Sequence, residues 1–205
     1  MKGNQSDKED ITLNKQIKNR HDIRKLLEDT ILQLERNTRF LETKQYLQHG
    51  KMSVYEHCIR VAEKSCDIAW KMRLDVDYTI LIRGALLHDY FLYDWHKKDS
   101  SHRLHGFFHP GKAYENAKRD VALTEIEEDM IKHHMFPLTV IPPKSKEAWI
   151  VCIADKICAS EETLKRKSHI KKTLRISIRI SQFLFVRVIS GLACAKLSAW
   201  RSGQL

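Results

Sequence analysis

Between residues 22 and 165 the apolar positions recur at steps of three and four, in stretches divided by short polar breaks. That is the period of helices burying one face. Ile23, Leu26, Leu27, Ile31 and Leu34 predict a helix from Asp22, with room for a break near Asn37-Thr38 and with Gly50 placed to end it. Ser53 and Glu56 form the capping-box pattern that opens a second helix, with Val54, Cys58, Val61, Ala62, Ser65 and Ala69 as its inward stripe. The stretch "VDYTILIRGALLHDYFL" is apolar on most sides and predicts a central helix. Residues 94–110 read as a polar, histidine-rich connection, and "PGKAYENAKRD" as a helix with Pro110 in its first turn. A second capping box, Thr124 and Glu127, opens a helix that stops before Pro137; "LTVIPPK" is loop; Ser145 N-caps a long amphipathic helix. Near the end the period changes. Leu174, Ile176, Ile178 and Ile180 alternate with Arg175, Ser177, Arg179 and Ser181, the period of a strand or of an ambiguous amphipathic segment.

Composition agrees with an all-α chain. Only 7 Gly and 4 Pro occur in 205 residues, too few for many tight turns, and 42% hydrophobic with 30% charged residues is the balance of a soluble globular protein. Five cysteines, Cys58, Cys66, Cys152, Cys158 and Cys194, make no CxxC pair. They read as reduced cysteines acting as small hydrophobes. The first residues are polar with no apolar core of a signal peptide, and no run of 18 uncharged apolar residues occurs, so the expected location is cytoplasmic. The net charge of +10 is unevenly placed. Residues 163–205 hold ten of the 36 basic residues and none of the 26 acidic ones, so residues 1–162 balance. The basic character belongs to the tail and does not make the main domain a nucleic-acid binder. The tail's arginines, interleaved with Ile and Phe, suit contact with a membrane surface or nucleic acid, or simply an extra packed element.

Some polar residues break the apolar stripes. His57 stands three after Val54 and four before Val61; His88 and Asp89 end the most apolar helix; Asp155 shares a face with Val151, Cys152 and Ala159. One inward histidine is more often a hydrogen-bonded core residue than a ligand. The set His57, His88-Asp89, His109, His133-His134 and Asp155 is another matter, because an unpartnered buried carboxylate is costly and a shared cation satisfies several at once. Imidazole with carboxylate suits transition metals rather than calcium.

His57, His88-Asp89 and Asp155, within "YEHCIRVA", "GALLHDY" and "CIADKICA", resemble the signature of the HD superfamily of metal-dependent phosphohydrolases, over roughly residues 50–165. His109 and His133-His134 resemble the two-metal subset, which includes HD-GYP cyclic-dinucleotide phosphodiesterases and diadenosine polyphosphate hydrolases. The resemblance implies an all-α HD-domain bundle (50–165), to which the chain's own pattern adds an N-terminal helical extension (1–49) and a basic C-terminal extension (166–205). It implies one divalent transition metal on His57, His88, Asp89 and Asp155. Asp89 would bridge to a second on His109 and on His133, His134 or both. Adjacent helical residues diverge by about 100°, so both serve only where the helix unwinds; His134, nearer the end, is favoured if one serves. Iron and manganese lead, with nickel, cobalt and zinc behind. The implied activity is hydrolysis of a phosphoester or phosphoanhydride, of a nucleotide or related small phosphate, by a metal-activated water. Asp89 and His105 are its catalytic candidates; Arg60 and Lys112, with Lys97, are those for substrate phosphate. Tyr90, Phe91, Tyr93, Trp95, Phe107 and Phe108 flank the site and suit stacking on a base. The Gly and Lys frequent after the family's HD pair are replaced by Tyr90, Phe91 and Leu92, and "MFPLTVIPP" stands where the GYP motif would be, which counts against a cyclic dinucleotide. Two rivals share the ligand set: an HD-type di-iron oxygenase and a non-catalytic nucleotide-sensing module.

Overall fold

The computed structural model describes residues 17–49, 52–94 and 105–164. The expectations for the polar start, Gly50, Trp95, Lys97, Cys194 and the basic extension 166–205 lie outside the described residues. The chain divides into two units, Met1–Glu162 and Thr163–Leu205, and the architecture is that of the first. It is all-α. In chain order come α1 (Arg20–Asn37), a 3-10 helix (Phe40–Gln45), a hairpin of β1 (Leu47–His49) and β2 (Met52–Ser53), α2 (Val54–Lys71), α3 (Tyr78–Leu87), α4 (His105–Asp120) and α5 (Glu125–His133). A last helix, α6, is described over 146–164.

The helix starts follow from local chemistry. Ser53 and Thr124 each accept a backbone N–H through their hydroxyls while Glu56 and Glu127 reach back to the cap, completing both expected capping boxes. Asn19 and Asp22 make a third at α1, and the Ser145 hydroxyl accepts from Ala148 N–H at 3.2 Å. α1 does not run on to Gly50. Thr38 ends it by turning both its N–H and its hydroxyl onto the Leu34 carbonyl, and Arg39 is then held by a two-pronged pair with Asp120 on α4. α4 in turn begins at His105, earlier than Pro110, which therefore lies inside the helix. The lost hydrogen bond at Pro110 is tolerated because His109 and Pro110 are buried there and packing holds the turn.

α3 is the central rod. Tyr78, Leu81, Ile82, Gly84, Ala85, Leu86 and Leu87 are all buried, and α3 packs against α1, α2 and α5. Gly84 permits the close approach to α5, since any Cβ there would strike the Met130 side chain. Ile23, Leu27 and Leu34 of α1 belong to the same buried cluster as Val54, Val61, Leu86, Met130 and Val151. Cys58, Cys66, Cys152 and Cys158 are free and buried, as small hydrophobes would be. No helix among the described residues is long and apolar enough to cross a membrane.

Candidate metal centre

The polar residues that interrupt the apolar stripes converge. His57 is on α2, His109 on α4 and Asp155 on α6; His88 and Asp89 follow the last residue of α3, and His134 the last residue of α5. Each is less than a tenth exposed. Where α3 ends, the Tyr90 N–H bonds the Leu87 carbonyl at 3.1 Å. The tight turn brings both members of the pair to the centre, although successive helical residues would point about 100° apart.

Asp89 is the hinge of the arrangement. Its Oδ1 lies 3.0 Å from His109 Nε2 and 3.3 Å from His134 Nε2. Its Oδ2 lies 3.5 Å from His88 Nε2 and 3.7 Å from His57 Nε2. Asp155 Oδ1 joins the second group, 3.1 Å from His57 Nε2 and 3.9 Å from His88 Nε2. Two sets of three donors result, His57, His88, Asp89 and Asp89, His109, His134, sharing one carboxylate.

The donor set fits metal ions. The Nδ1–H groups of His88 and His134 donate to the Ala85 and Ile131 carbonyls at 2.7 and 2.9 Å, which leaves a lone pair on each Nε2. His88 Nε2 and Asp89 Oδ1 are buried without a hydrogen bond among the described residues. The His109 and His134 Nε2 atoms face each other at 2.8 Å. A ring nitrogen and a carboxylate oxygen without hydrogen bonds, beside two imidazoles that converge on each other, could hold a cation.

Protons compete for the same places. Burial opposes charging of His57, but hydrogen bonds to Asp155 and Glu162 outweigh it and raise its pKa to about 10. His88 is likewise raised, burial notwithstanding, by Asp89 and Asp155. Burial also resists ionisation of Asp89 and Asp155, yet His88 and His109 hold the first, and His57 and His88 the second, well below the usual carboxylate range. His134 moves down, chiefly through burial. Burial and the Asp89 charge push the Tyr93 phenol up to about 12, so it stays protonated beside the centre.

Other candidates are placed elsewhere. His133 does not join the cluster: its Nδ1 bonds Asp129 at 2.6 Å, and Asp129 caps the start of α6 through Ser145 N–H at 2.7 Å. The backbone of His105 starts α4, and its side chain lies outside the described residues. Arg60 is not free for a phosphate. Its guanidinium is committed to Glu162 at 2.7 Å and Glu161 at 3.0 Å. Lys112 is exposed on α4. Tyr90 and Phe91 are fully buried core residues, Tyr90 hydrogen-bonded to Asp120, whereas Phe107 and Phe108 are about half exposed.

Sequence reasoning missed three supporting residues. Glu162 is buried and accepts from His57 Nδ1–H with both oxygens at 3.2 Å, a carboxylate–histidine pairing that would leave the other nitrogen to face a metal. Lys156 bonds the His134 carbonyl at 2.8 Å and so ties the end of α5 to α6. Gln48 of β1 donates to Asp89 Oδ2 at 2.5 Å. Their signals were weak: "SEETLK" looks like a solvated helix end, and Gln48 sits in a three-residue strand. Glu162→Ala is expected to weaken metal binding about 10- to 100-fold. Glu162→Gln should lose less, since its amide oxygen still accepts from His57; competition against a chromophoric chelator measures both.

No curated protein matches the chain, and no solved structure does. The sequence model of the HD domain matches residues 54–160, more than half of the chain. That span contains His57, His88, Asp89, His109, His134 and Asp155. With a helical bundle whose buried histidines and aspartates meet at one point, the chain belongs to the HD-domain family.

Proposed function

We propose that this HD-domain protein is a metal-dependent phosphohydrolase that cleaves a phosphoester or phosphoanhydride of a nucleotide or related small phosphate. The observation that carries the reading is the placement of Asp89, with one oxygen toward His109 and His134 and the other toward His57 and His88. Two divalent transition metals held there would supply Lewis acidity to a phosphoryl oxygen and acidify a bound water. His57, His88 and Asp155 would hold the first, His109 and His134 the second, and Asp89 both. The chain's own contribution is orientation. The Ala85 and Ile131 carbonyls and the Glu162 carboxylate fix which ring nitrogen each histidine presents. Burial of the ligands keeps competing water out and strengthens every charge interaction inside. Burial and the Asp89 charge keep the Tyr93 hydroxyl protonated.

The test is elemental analysis of protein purified without chelator, followed by a panel of phosphodiesters, nucleotides and dinucleotides with manganese, iron, nickel or cobalt. The expected result is bound transition metal and hydrolysis that proceeds with manganese under nitrogen. Oxygen uptake with iron and no hydrolysis of any phosphate would overturn the proposal in favour of an oxygenase.

A further inference from the structure

The hairpin before α2 contradicts hydropathy. In β1 the leucine is turned out and the glutamine in: Leu47 is 43% exposed, Gln48 only 6%. The backbone shows how. Leu47 pairs with Ser53 and His49 with Met52, two residues advancing on one strand against one on the other, so Gln48 is the extra residue of a β-bulge. A bulge re-aims a side chain, and here the Gln48 amide N–H lands on Asp89 Oδ2, the oxygen shared with His57 and His88. The assignment of the amide is forced, because the opposite flip would set two oxygens against each other. Its Oε1 is left buried without a hydrogen-bond partner among the described residues. Burying a polar group with an unmet acceptor beside an exposed leucine costs stability. Gln48 also lies outside the span matched by the family.

We propose that Gln48 is a positioning residue of the metal centre: its N–H fixes Oδ2 of the shared aspartate, and its Oε1 is the acceptor for an O–H group, of water or substrate, held at the site. The proposal rests on reading the cluster as a metal centre. Its test uses the full chain, with cobalt(II) as the probe. Gln48→Met keeps the shape and removes both donor and acceptor. It is expected to raise the cobalt Kd about 10- to 100-fold and to shift the visible cobalt absorption, while the far-ultraviolet dichroism stays that of the wild type. Gln48→Asn, which keeps the amide but falls one methylene short of Asp89, is expected to move both readouts the same way and serves if the methionine variant does not fold. Wild-type affinity and an unshifted spectrum in either folded variant overturn the role of Gln48. A wild-type chain that takes up no cobalt overturns the metal centre and this proposal with it. That failure is distinct, since Asp89→Ala would then match the wild type too.

Discussion

Asp89→Ala is expected to empty both halves of the centre at once. Every other ligand serves one group of donors, whereas Asp89 faces all four clustered imidazoles, with its two oxygens 3.0 to 3.7 Å from their Nε2 atoms. Losing an outer partner such as Glu162 costs about 10- to 100-fold in affinity. Loss of the shared carboxylate should exceed that, so metal content falls to background and hydrolysis falls with it. The metal-free fold bears a cost as well. Asp89 is the carboxylate that Gln48 donates to and that, with Asp155, raises the pKa of His88. Elemental analysis and thermal melts of the variant check both parts. Retention of metal with full hydrolysis would remove Asp89 from the centre. His109→Ala makes the comparison, since it should disturb only the Oδ1 side.

Removing metal from the wild type is the second large effect, and its size depends on pH. A ligand that binds only the folded state, at a free concentration of about 1,000 times its Kd, stabilises by about 4 kcal/mol. For a domain of this size that is a rise in Tm of about 8–16 °C. In the metal-free protein His57 has its pKa raised from 6.5 to about 10. The stability this gives is complete below about pH 6.5 and drains away as the pH climbs toward 10. Asp89 and Asp155 are shifted down from 3.8, so their share is complete above about pH 4 and is lost as the pH falls further. The metal-free protein should therefore melt highest between about pH 4 and 6.5. A cation must displace the protons on His57 and His88, so the gap in Tm between loaded and metal-free protein widens from pH 6 to pH 9. Paired melts with manganese and with chelator measure it; a gap that narrows over that range would count against these two imidazoles as ligands.

The parts of the fold legible in the sequence are those fixed by local chemistry. Capping at Ser53, Thr124 and Ser145 is decided within three residues, and the stripe from Val54 to Ala69 by one helical period. The candidate ligands stood out because His57, Asp89 and Asp155 interrupt otherwise apolar faces. What escaped depends on contacts between distant segments. Arg60 read as a phosphate contact because periodicity gives its face but not its partners, Glu161 and Glu162, about a hundred residues away. The choice between His133 and His134 turned on where α5 stops, and the cap role of Asp129, which takes up His133, is set by the following helix. Gln48 was invisible because a bulge in so short a strand reverses the in–out order that alternation would assign.

The enclosure of the donors bears on exchange kinetics. His57, His88 and His134 have no exposure, and Asp155, the most open of the six, has 8%. They come from five separate helices or helix ends. An ion seated among them would be released only as donors from several helices let go, so its residence time would depend on breathing of the bundle as well as on the lability of its own bonds. Ions that shed water at very different rates in solution would then leave this protein at rates less far apart.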